Sequence, residues 1–314
     1  MRGLTAPPFL RTLSAKLSQS KSGAYLQNVG GRLYNPKDVR DRYDNYGDKE
    51  WDRLEKSLHG VVEYEVTLHI LQKHLPENAY ILDAGGGPGR YAIRLAGMGH
   101  RVYLLDISEE QLRLAEKKID EAGVRDKITA VRPMDICEMG EIPDANFDAV
   151  LCLGGALSYV RERRFKAIAE LIRVAKPGSP LAVSVMSLLG TFHLIATLDA
   201  RNFLENIRDH VEWDPETPFP EVLNSKRGSP EWHAPMTLYT SRYLKRFLED
   251  HGCRVVEMAS TNAITSGEHK LEKIASSPEA VEMLVDLEKQ FSNRPGVVDM
   301  GQHLLAVAIT PEET

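Results

Sequence analysis

From residue 80 onward, short apolar runs of strand length alternate with segments whose apolar residues recur at helical spacing. This alternation predicts βαβ units, and therefore an α/β fold with a parallel sheet covered by helices on both faces. The predicted strands are Tyr80–Ala84, Arg101–Asp106, Ile128–Arg132, Phe147–Leu153, Pro180–Val185, Arg254–Met258 and His303–Ile309. The clearest later helices are Ser241–Asp250 and Pro278–Phe291.

Two regions interrupt this pattern. Residues 38–76 have helical spacing until Pro76 stops it, which predicts an N-terminal helical cap. Residues 190–237 begin with a helix-like piece and continue into a stretch rich in proline and aromatic residues. Because this stretch is too short for a core of its own, we expect an insertion that covers the substrate. The core is then divided between residues 77–189, which bind the cofactor, and residues 238–314, which complete the sheet.

Charge is distributed unevenly along the chain. Residues 1–37 contain six lysines and arginines and no acidic residue, so a net charge of −6 leaves −12 on the other 277 residues. We interpret this leader as a flexible or lid-forming extension. Its basic, hydroxyl-rich composition is also typical of a mitochondrial transit peptide. The expected location is therefore the cytoplasm, with the mitochondrial matrix as the alternative.

Composition narrows the class of protein. The chain has 314 residues, 42% hydrophobic and 27% charged, which is typical of globular enzymes. Its three cysteines form no CxxC pair, and we expect no metal site. No apolar run reaches the roughly 18 residues that a membrane span requires, so no membrane partner is expected. The acidic body argues against a nucleic-acid partner. A small-molecule substrate is expected, and a homodimer is compatible with these features.

The most informative motif is the glycine loop Asp83-Ala-Gly85-Gly-Gly87-Pro-Gly89, which directly follows a predicted strand. Glycines there allow a tight turn and a close approach of the backbone to a ligand. A dinucleotide-binding loop would need a small residue where this chain has Arg90. Asp83 would also repel a pyrophosphate, whereas it suits a cation. S-adenosylmethionine carries an ammonium and a sulfonium and no phosphate. An NAD(P)-dependent oxidoreductase is the alternative.

Two further acids follow predicted strands. Asp106 ends the second strand, 17 residues after Gly89, where an acid can accept hydrogen bonds from ribose hydroxyls. The alternative is that Asp106 only ends the strand before the helix cap Ser108. Asp135 lies between Met134 and Ile136, so its carboxylate could accept from an adenine amino group while its neighbours pack on the ring.

The glycine loop, Asp106 and Asp135 follow one another along the chain as they do in the class I S-adenosylmethionine-dependent methyltransferases. The chain therefore resembles this family, and it is similar to the small-molecule type. The resemblance implies a Rossmann-like sheet of seven strands with the last antiparallel, and S-adenosylmethionine as the cofactor. It implies that the glycine loop holds the methionyl end, Asp106 the ribose and Asp135 the adenine, while Leu153 and Gly154 line the reaction site. The implied cofactor-binding residues are Asp83, Gly85, Gly87, Gly89, Asp106, Ile107, Asp135, Ile136, Leu153 and Gly154.

The segment after the fourth strand bears on the acceptor. Family members that methylate exocyclic base amines often carry an Asn-Pro-Pro-Tyr-like tetrapeptide there, whereas this chain has Leu153–Tyr159 without one. We therefore expect methylation of oxygen or nitrogen in a small metabolite. Candidate bases are His233, in the insertion, and His303, at the start of the last strand. A non-catalytic binding or assembly factor with this fold is a further alternative. The candidate substrate-binding residues are Tyr43, Tyr46, Trp51, Arg90 and Tyr159.

Overall fold

The computed structural model describes residues 33–198, 236–265 and 277–312, and seven strands within them form a single sheet. The strands are β1 (Tyr80–Ala84), β2 (Arg101–Asp106), β3 (Ile128–Pro133), β4 (Ala149–Cys152), β5 (Pro180–Met186), β6 (Arg254–Ser260) and β7 (His303–Ile309). Their order is β3-β2-β1-β4-β5-β7-β6. The five strands from β3 to β5 are parallel, and β7 is antiparallel to both of its neighbours. The predicted Rossmann-like sheet with an antiparallel last strand is confirmed.

Ten α-helices surround the sheet in the described ranges. They are α1 (Pro36–Tyr46), α2 (Asp48–Arg53), α3 (Leu58–His74), α4 (Arg90–Gly97), α5 (Glu109–Ala122), α6 (Ala156–Tyr159), α7 (Arg164–Val174), α8 (Leu188–Leu198), α9 (Ser241–Asp250) and α10 (Pro278–Phe291). None of these helices is long and apolar enough to cross a membrane.

The predicted cap over residues 38–76 consists of three helices, α1 to α3, where the sequence pattern suggested continuous helix. Gly47 ends α1 with a φ of +57°, a conformation that glycine adopts without strain. Ser57 then caps α3 by accepting a hydrogen bond from the N–H of Gly60 at 3.0 Å. A side chain on Gly60 would overlap the carbonyl oxygen of Arg53, so α2 packs directly on the first turn of α3.

Alternate residues of each central strand face two separate cores, as the pleat of a strand requires. Ile81 packs on the face covered by α3, α4, α5 and α10, whereas Leu82 packs on the face covered by α7 and α9. Both side chains are fully buried, and each contributes about 1.5–3 kcal/mol to folding. The three cysteines are free and buried in these cores.

The strand order reverses between β1 and β4, and ligands of open α/β sheets bind at such a point, beyond the carboxyl ends of the strands. Because β7 is antiparallel, its first residue lies at this same edge, with His303 opposite Met186 of β5. Helix α1 is attached nearby, since Nε of Arg40 donates to the carbonyl oxygen of Ile107 at 3.2 Å. The edge thus brings together chain segments that are far apart in sequence.

Candidate active site

A cavity of about 840 Å³, counting the space open to solvent, lies at the carboxyl edge of the sheet. Its volume is within the range of small-molecule and cofactor pockets. The walls come from the glycine loop, the ends of β2, β3 and β4, and helices α1 and α2. Of the ten residues expected to bind the cofactor, all except Gly89 line this cavity, which we call the cofactor cavity.

The glycine loop has no room for side chains at its start. A Cβ on Gly86 would lie 2.5 Å from Cδ1 of Leu104 and 2.6 Å from Cγ of Asp83. Gly85 has a φ of +75°, and a Cβ there would lie 2.7 Å from the Cβ of Ala156. Glycine is therefore needed both for the turn and for the close approach of β1, β2 and α6 around the loop.

Asp83 is fully buried at the end of β1, and neither carboxylate oxygen has a hydrogen-bond partner among the described residues. Burial raises the pKa of Asp83 to about 7, and the neighbouring Asp106 carboxylate adds to the effect. The backbone N–H of Ala92 has the opposite effect and lowers this pKa, although its position does not meet hydrogen-bond geometry. A buried acid without a partner is costly to keep charged, so this position fits a cationic ligand group such as the ammonium of S-adenosylmethionine.

Asp106 is held at the end of β2 by two backbone donors. Its Oδ2 accepts the N–H of Gly87 and its Oδ1 accepts the N–H of Ser108, both at 2.8 Å. Burial raises the pKa of Asp106 to about 6, although these two donors work in the opposite direction. An ionised carboxylate has about four acceptor positions, so two remain for ligand hydroxyls. This arrangement suits the predicted role at the ribose.

Asp135 has one donor on each oxygen. The N–H of Cys137 donates to Oδ1 at 2.8 Å, and the hydroxyl of Tyr34 donates to Oδ2 at 2.9 Å. Tyr34 lines the cofactor cavity, as do Met134 and Ile136. No pattern in the sequence distinguishes Tyr34, which lies near the end of the segment assigned to the leader.

A second cavity of about 420 Å³, also counting the space open to solvent, adjoins the cofactor cavity, and we call it the acceptor cavity. The two cavities have Tyr43, Glu50, Arg53, Gly154 and Tyr159 in common. The acceptor cavity is completed by Arg42, Tyr46, Met186 and His303. Three of the predicted substrate-binding residues, Tyr43, Tyr46 and Tyr159, thus lie together with the candidate base His303. His233 lies outside the described residues.

A buried ion cluster supports the wall between the cavities. Nη1 of Arg53 donates to both carboxylate oxygens of Glu63, at 3.0 and 2.9 Å, and its Nε donates to Glu50 at 3.0 Å. Burial alone would raise the pKa of Glu63, but the Arg53 guanidinium lowers it to about 2. Nη2 makes no hydrogen bond within the described chain, and a Cβ on Gly154 would lie 3.8 Å from it. Arg53 therefore presents a cationic donor at Gly154.

His303 lines the acceptor cavity, and its imidazole is neutral. Its Nε2 lies 3.8 Å from Oε2 of Glu63, and its Nδ1 is buried with no hydrogen-bond partner in the described ranges. Burial lowers the pKa of His303 to about 4, although Glu63 opposes this shift. In the part of the chain that the structure describes, no group of three His, Cys, Asp or Glu side chains is arranged to hold a metal ion.

Two predicted substrate residues contact each other. The guanidinium carbon of Arg90 lies 4.2 Å from the ring centroid of Trp51, and Nη2 of Arg90 donates to Glu55 at 2.8 Å. Lys118 lies over the same indole ring, 4.9 Å from its centroid. Trp51 lines neither cavity, whereas Arg90 lines the cofactor cavity. Their proposed roles at the substrate stay predictions.

Comparisons with known proteins agree with this site. A family model described as a methyltransferase domain matches residues 81–178, from β1 through α7. The tRNA 5-carboxymethoxyuridine methyltransferase of Escherichia coli is 24% identical over 272 residues, which cover 83% of this chain and 94% of that protein. A ubiquinone/menaquinone biosynthesis C-methyltransferase of Ralstonia pickettii is 35% identical over 108 residues, 33% of this chain and 41% of that protein.

A solved structure shares the fold. The magnesium protoporphyrin IX methyltransferase of Synechocystis, solved with bound S-adenosylhomocysteine, superposes with a TM-score of 0.53 at 18% identity, covering 87% of this chain and 98% of that one. The family match, the strand order and a cavity built from the expected motif residues agree with one another. They identify S-adenosylmethionine as the cofactor and disagree with the oxidoreductase alternative. Residues 81–178 therefore form a methyltransferase domain, and the chain has the motifs and the seven-stranded sheet of the class I S-adenosylmethionine-dependent methyltransferases.

Proposed function

We propose that this methyltransferase transfers the methyl group to an oxygen or nitrogen of a small-molecule acceptor bound in the acceptor cavity. The observation that carries the proposal is the common wall of the two cavities at Gly154 and Arg53. A volume of about 420 Å³ suits a small metabolite or a single ring with its substituents.

The residues of the cofactor cavity fit S-adenosylmethionine at three points. Asp83 supplies a carboxylate for the ammonium, and Asp106 retains acceptor positions for the ribose hydroxyls. Nη2 of Arg53, beside Gly154, is a donor for the methionyl carboxylate. When bound, the cofactor supplies a methyl group on a positively charged sulfur, which is an excellent leaving group.

With such a leaving group, the protein mainly has to orient the acceptor and exclude water. Tyr43 and Tyr159 make an edge-to-face contact between the two cavities, with ring centroids 5.8 Å apart. Tyr46 extends this aromatic wall, since its ring centroid lies 6.5 Å from that of Tyr43. These rings limit where a planar acceptor can lie at the common wall.

For an acceptor that must lose a proton, we assign the role of base to His303. Its imidazole is neutral at physiological pH, and its unpartnered Nδ1 can accept a proton. Glu63, 3.8 Å from the other ring nitrogen, favours the protonated ring electrostatically. A weak base suffices here, because a hydroxyl oxygen becomes strongly acidic as the new bond to carbon forms.

A second candidate acceptor is a modified nucleoside of tRNA. The Escherichia coli relative acts on 5-carboxymethoxyuridine of tRNA, and the similarity covers 94% of that protein. The expected absence of a nucleic-acid partner, which rested on the acidic net charge, is therefore not supported. Arg42 and Arg53 in the acceptor cavity are compatible with the carboxylate that such a nucleoside carries.

Methyl transfer from radiolabelled S-adenosylmethionine distinguishes the two acceptors. We expect label in the small-molecule fraction of a cell extract and none in purified tRNA. Met186 lines the acceptor cavity and not the cofactor cavity. Met186→Trp should therefore fill the acceptor cavity, abolish labelling and retain binding of S-adenosylhomocysteine. Label only in tRNA supports the second candidate. Labelling by Met186→Trp at the wild-type rate contradicts the placement of the acceptor.

A further inference from the structure

Asp135 lines one part of the cofactor cavity, which we call the slot. Met134 and Ile136 flank the carboxylate in sequence, and both line the cavity. Val160 and Tyr34 line it as well, so apolar side chains surround a single carboxylate. Such a slot suits a flat, weakly polar ring that carries a hydrogen-bond donor at its edge, which is the chemistry of the adenine base.

Tyr34 is fixed in this slot from three directions. Its hydroxyl donates to Oδ2 of Asp135 at 2.9 Å, and its backbone N–H donates to Oε1 of Glu162 at 2.7 Å. The next residue, Asn35, caps α1 by accepting the N–H of Lys37 at 3.1 Å. Because α1 is attached to Ile107 through Arg40, the position of Tyr34 is set by both sides of the cavity.

The hydrogen bond from Tyr34 also determines what Asp135 can do. Burial and the nearby Asp135 carboxylate raise the pKa of Tyr34 above its usual range, so the phenol remains a donor. With Cys137 on Oδ1 and Tyr34 on Oδ2, the carboxylate cannot rotate freely, and its remaining lone pairs have fixed directions. An oriented, acceptor-only group discriminates between an amino group and a carbonyl on the ligand.

We propose that Tyr34 is a positioning residue of the cofactor site, which orients Asp135 so that the slot selects the 6-amino group of the nucleobase. Tyr34 comes from the segment before α1, so the site is completed by residues outside the matched domain of residues 81–178. This role concerns the cofactor and is independent of the acceptor that fills the acceptor cavity.

The test compares two ligands by calorimetric titration of the full-length protein. One is S-adenosylhomocysteine, and the other is S-inosylhomocysteine, which has an oxygen in place of the 6-amino group. We expect Tyr34→Phe, which keeps the ring, to weaken S-adenosylhomocysteine binding about tenfold and S-inosylhomocysteine binding much less. The ratio of the two dissociation constants is a readout that a general loss of packing does not change.

Three further variants test whether Tyr34 acts through Asp135. Asp135→Asn can donate to the carbonyl of the inosine ring, so its preference should shift toward S-inosylhomocysteine, and adding Tyr34→Phe should change that ratio no further. Tyr103→Phe is the matched control, because Tyr103 is a half-buried tyrosine of β2 that does not line the cavity. If Tyr34→Phe leaves the ratio at its wild-type value, with or without an equal loss of affinity for both ligands, the proposal is wrong.

Discussion

The cofactor cavity and the acceptor cavity lie side by side, yet they are built in different ways. The glycine loop and the ends of β1 and β2 form the centre of the cofactor cavity, and these segments are continuous with the sheet. The acceptor cavity is made by side chains from α1, α2, α6, β5 and β7, whose residues range from Arg42 to His303. The shape of the cofactor cavity is therefore set by the backbone, whereas that of the acceptor cavity depends on contacts between side chains distant in sequence.

Because of this difference, substitutions in the two cavities should affect different properties of the protein. The cofactor cavity contains an unpaired buried carboxylate, Asp83, which lowers the stability of the ligand-free protein and is available to a ligand. The wall of the acceptor cavity instead depends on Glu63, whose charge is compensated internally by Arg53. Changes to Asp83 should therefore weaken ligand binding without lowering stability, whereas changes to Glu63 should lower stability.

The largest effect is expected from Glu63→Gln. The substitution removes the carboxylate that Nη1 of Arg53 contacts twice, and breaking a buried pair typically costs about 3–5 kcal/mol of unfolding free energy. Denaturant unfolding measures this loss. The control is Glu110→Gln, which breaks a solvent-exposed pair with Arg113 and should cost less than about 1 kcal/mol. Equal losses in the two variants would show that the wall does not depend on the ion cluster.

The next effect is expected from Asp83→Asn, which should weaken S-adenosylhomocysteine binding about tenfold to a hundredfold, as measured by calorimetry. The ligand-free variant should be more stable than the wild type at pH 8. An unfolded aspartate titrates near ~3.9, whereas the pKa of Asp83 in the folded protein is about 7. Between these values the folded state binds more protons, so wild-type stability falls as the pH rises. Asp83→Asn removes this loss of stability with rising pH. A variant less stable than the wild type at pH 8 would contradict the conclusion that the carboxylate has no partner in the ligand-free protein.

The smallest effect is expected from Gly86→Ala. The new Cβ collides with Leu104 and Asp83 and should cost about 1–3 kcal/mol in thermal unfolding, with weaker cofactor binding. Gly97→Ala is the matched control, because Gly97 ends α4 and a Cβ there meets nothing within 4 Å. That control should be neutral or slightly stabilising, since alanine has the higher helix propensity. A Gly86→Ala protein as stable as Gly97→Ala would show that the loop can relax.

The seven strands and nine residues that line the cofactor cavity could be predicted from the sequence, because they depend on local patterns. The antiparallel direction of β7 was implied only by the family resemblance. The apolar run of β1 leads straight into the glycine loop, and Asp106 ends the next strand. Each of these features is determined by a few consecutive residues. The alternation of strands and helices likewise needs no information about distant contacts, so the seven strands were found with small errors at their ends.

The ion cluster and Tyr34 were not predictable in this way. Arg53, Glu63 and His303 come together only through the packing of α2 and α3 against β7, and no spacing in the sequence links them. The division of the cap into three helices depends on Gly47 and on the contact of Gly60 with Arg53, which are also set by packing. Tyr34 acts through Asp135, 101 residues away.

The position of β7 determines the order in which the sheet can be completed during synthesis. This strand is the last along the chain, but it lies between β5 and β6 in the sheet. Until residues 303–309 have left the ribosome, β6 has no partner strand and β5 has an open edge. The strands that frame the cofactor cavity, β1 to β4, need nothing from this C-terminal region for their pairing. A nascent chain would therefore complete the strand pairing around its cofactor cavity first and its acceptor cavity last.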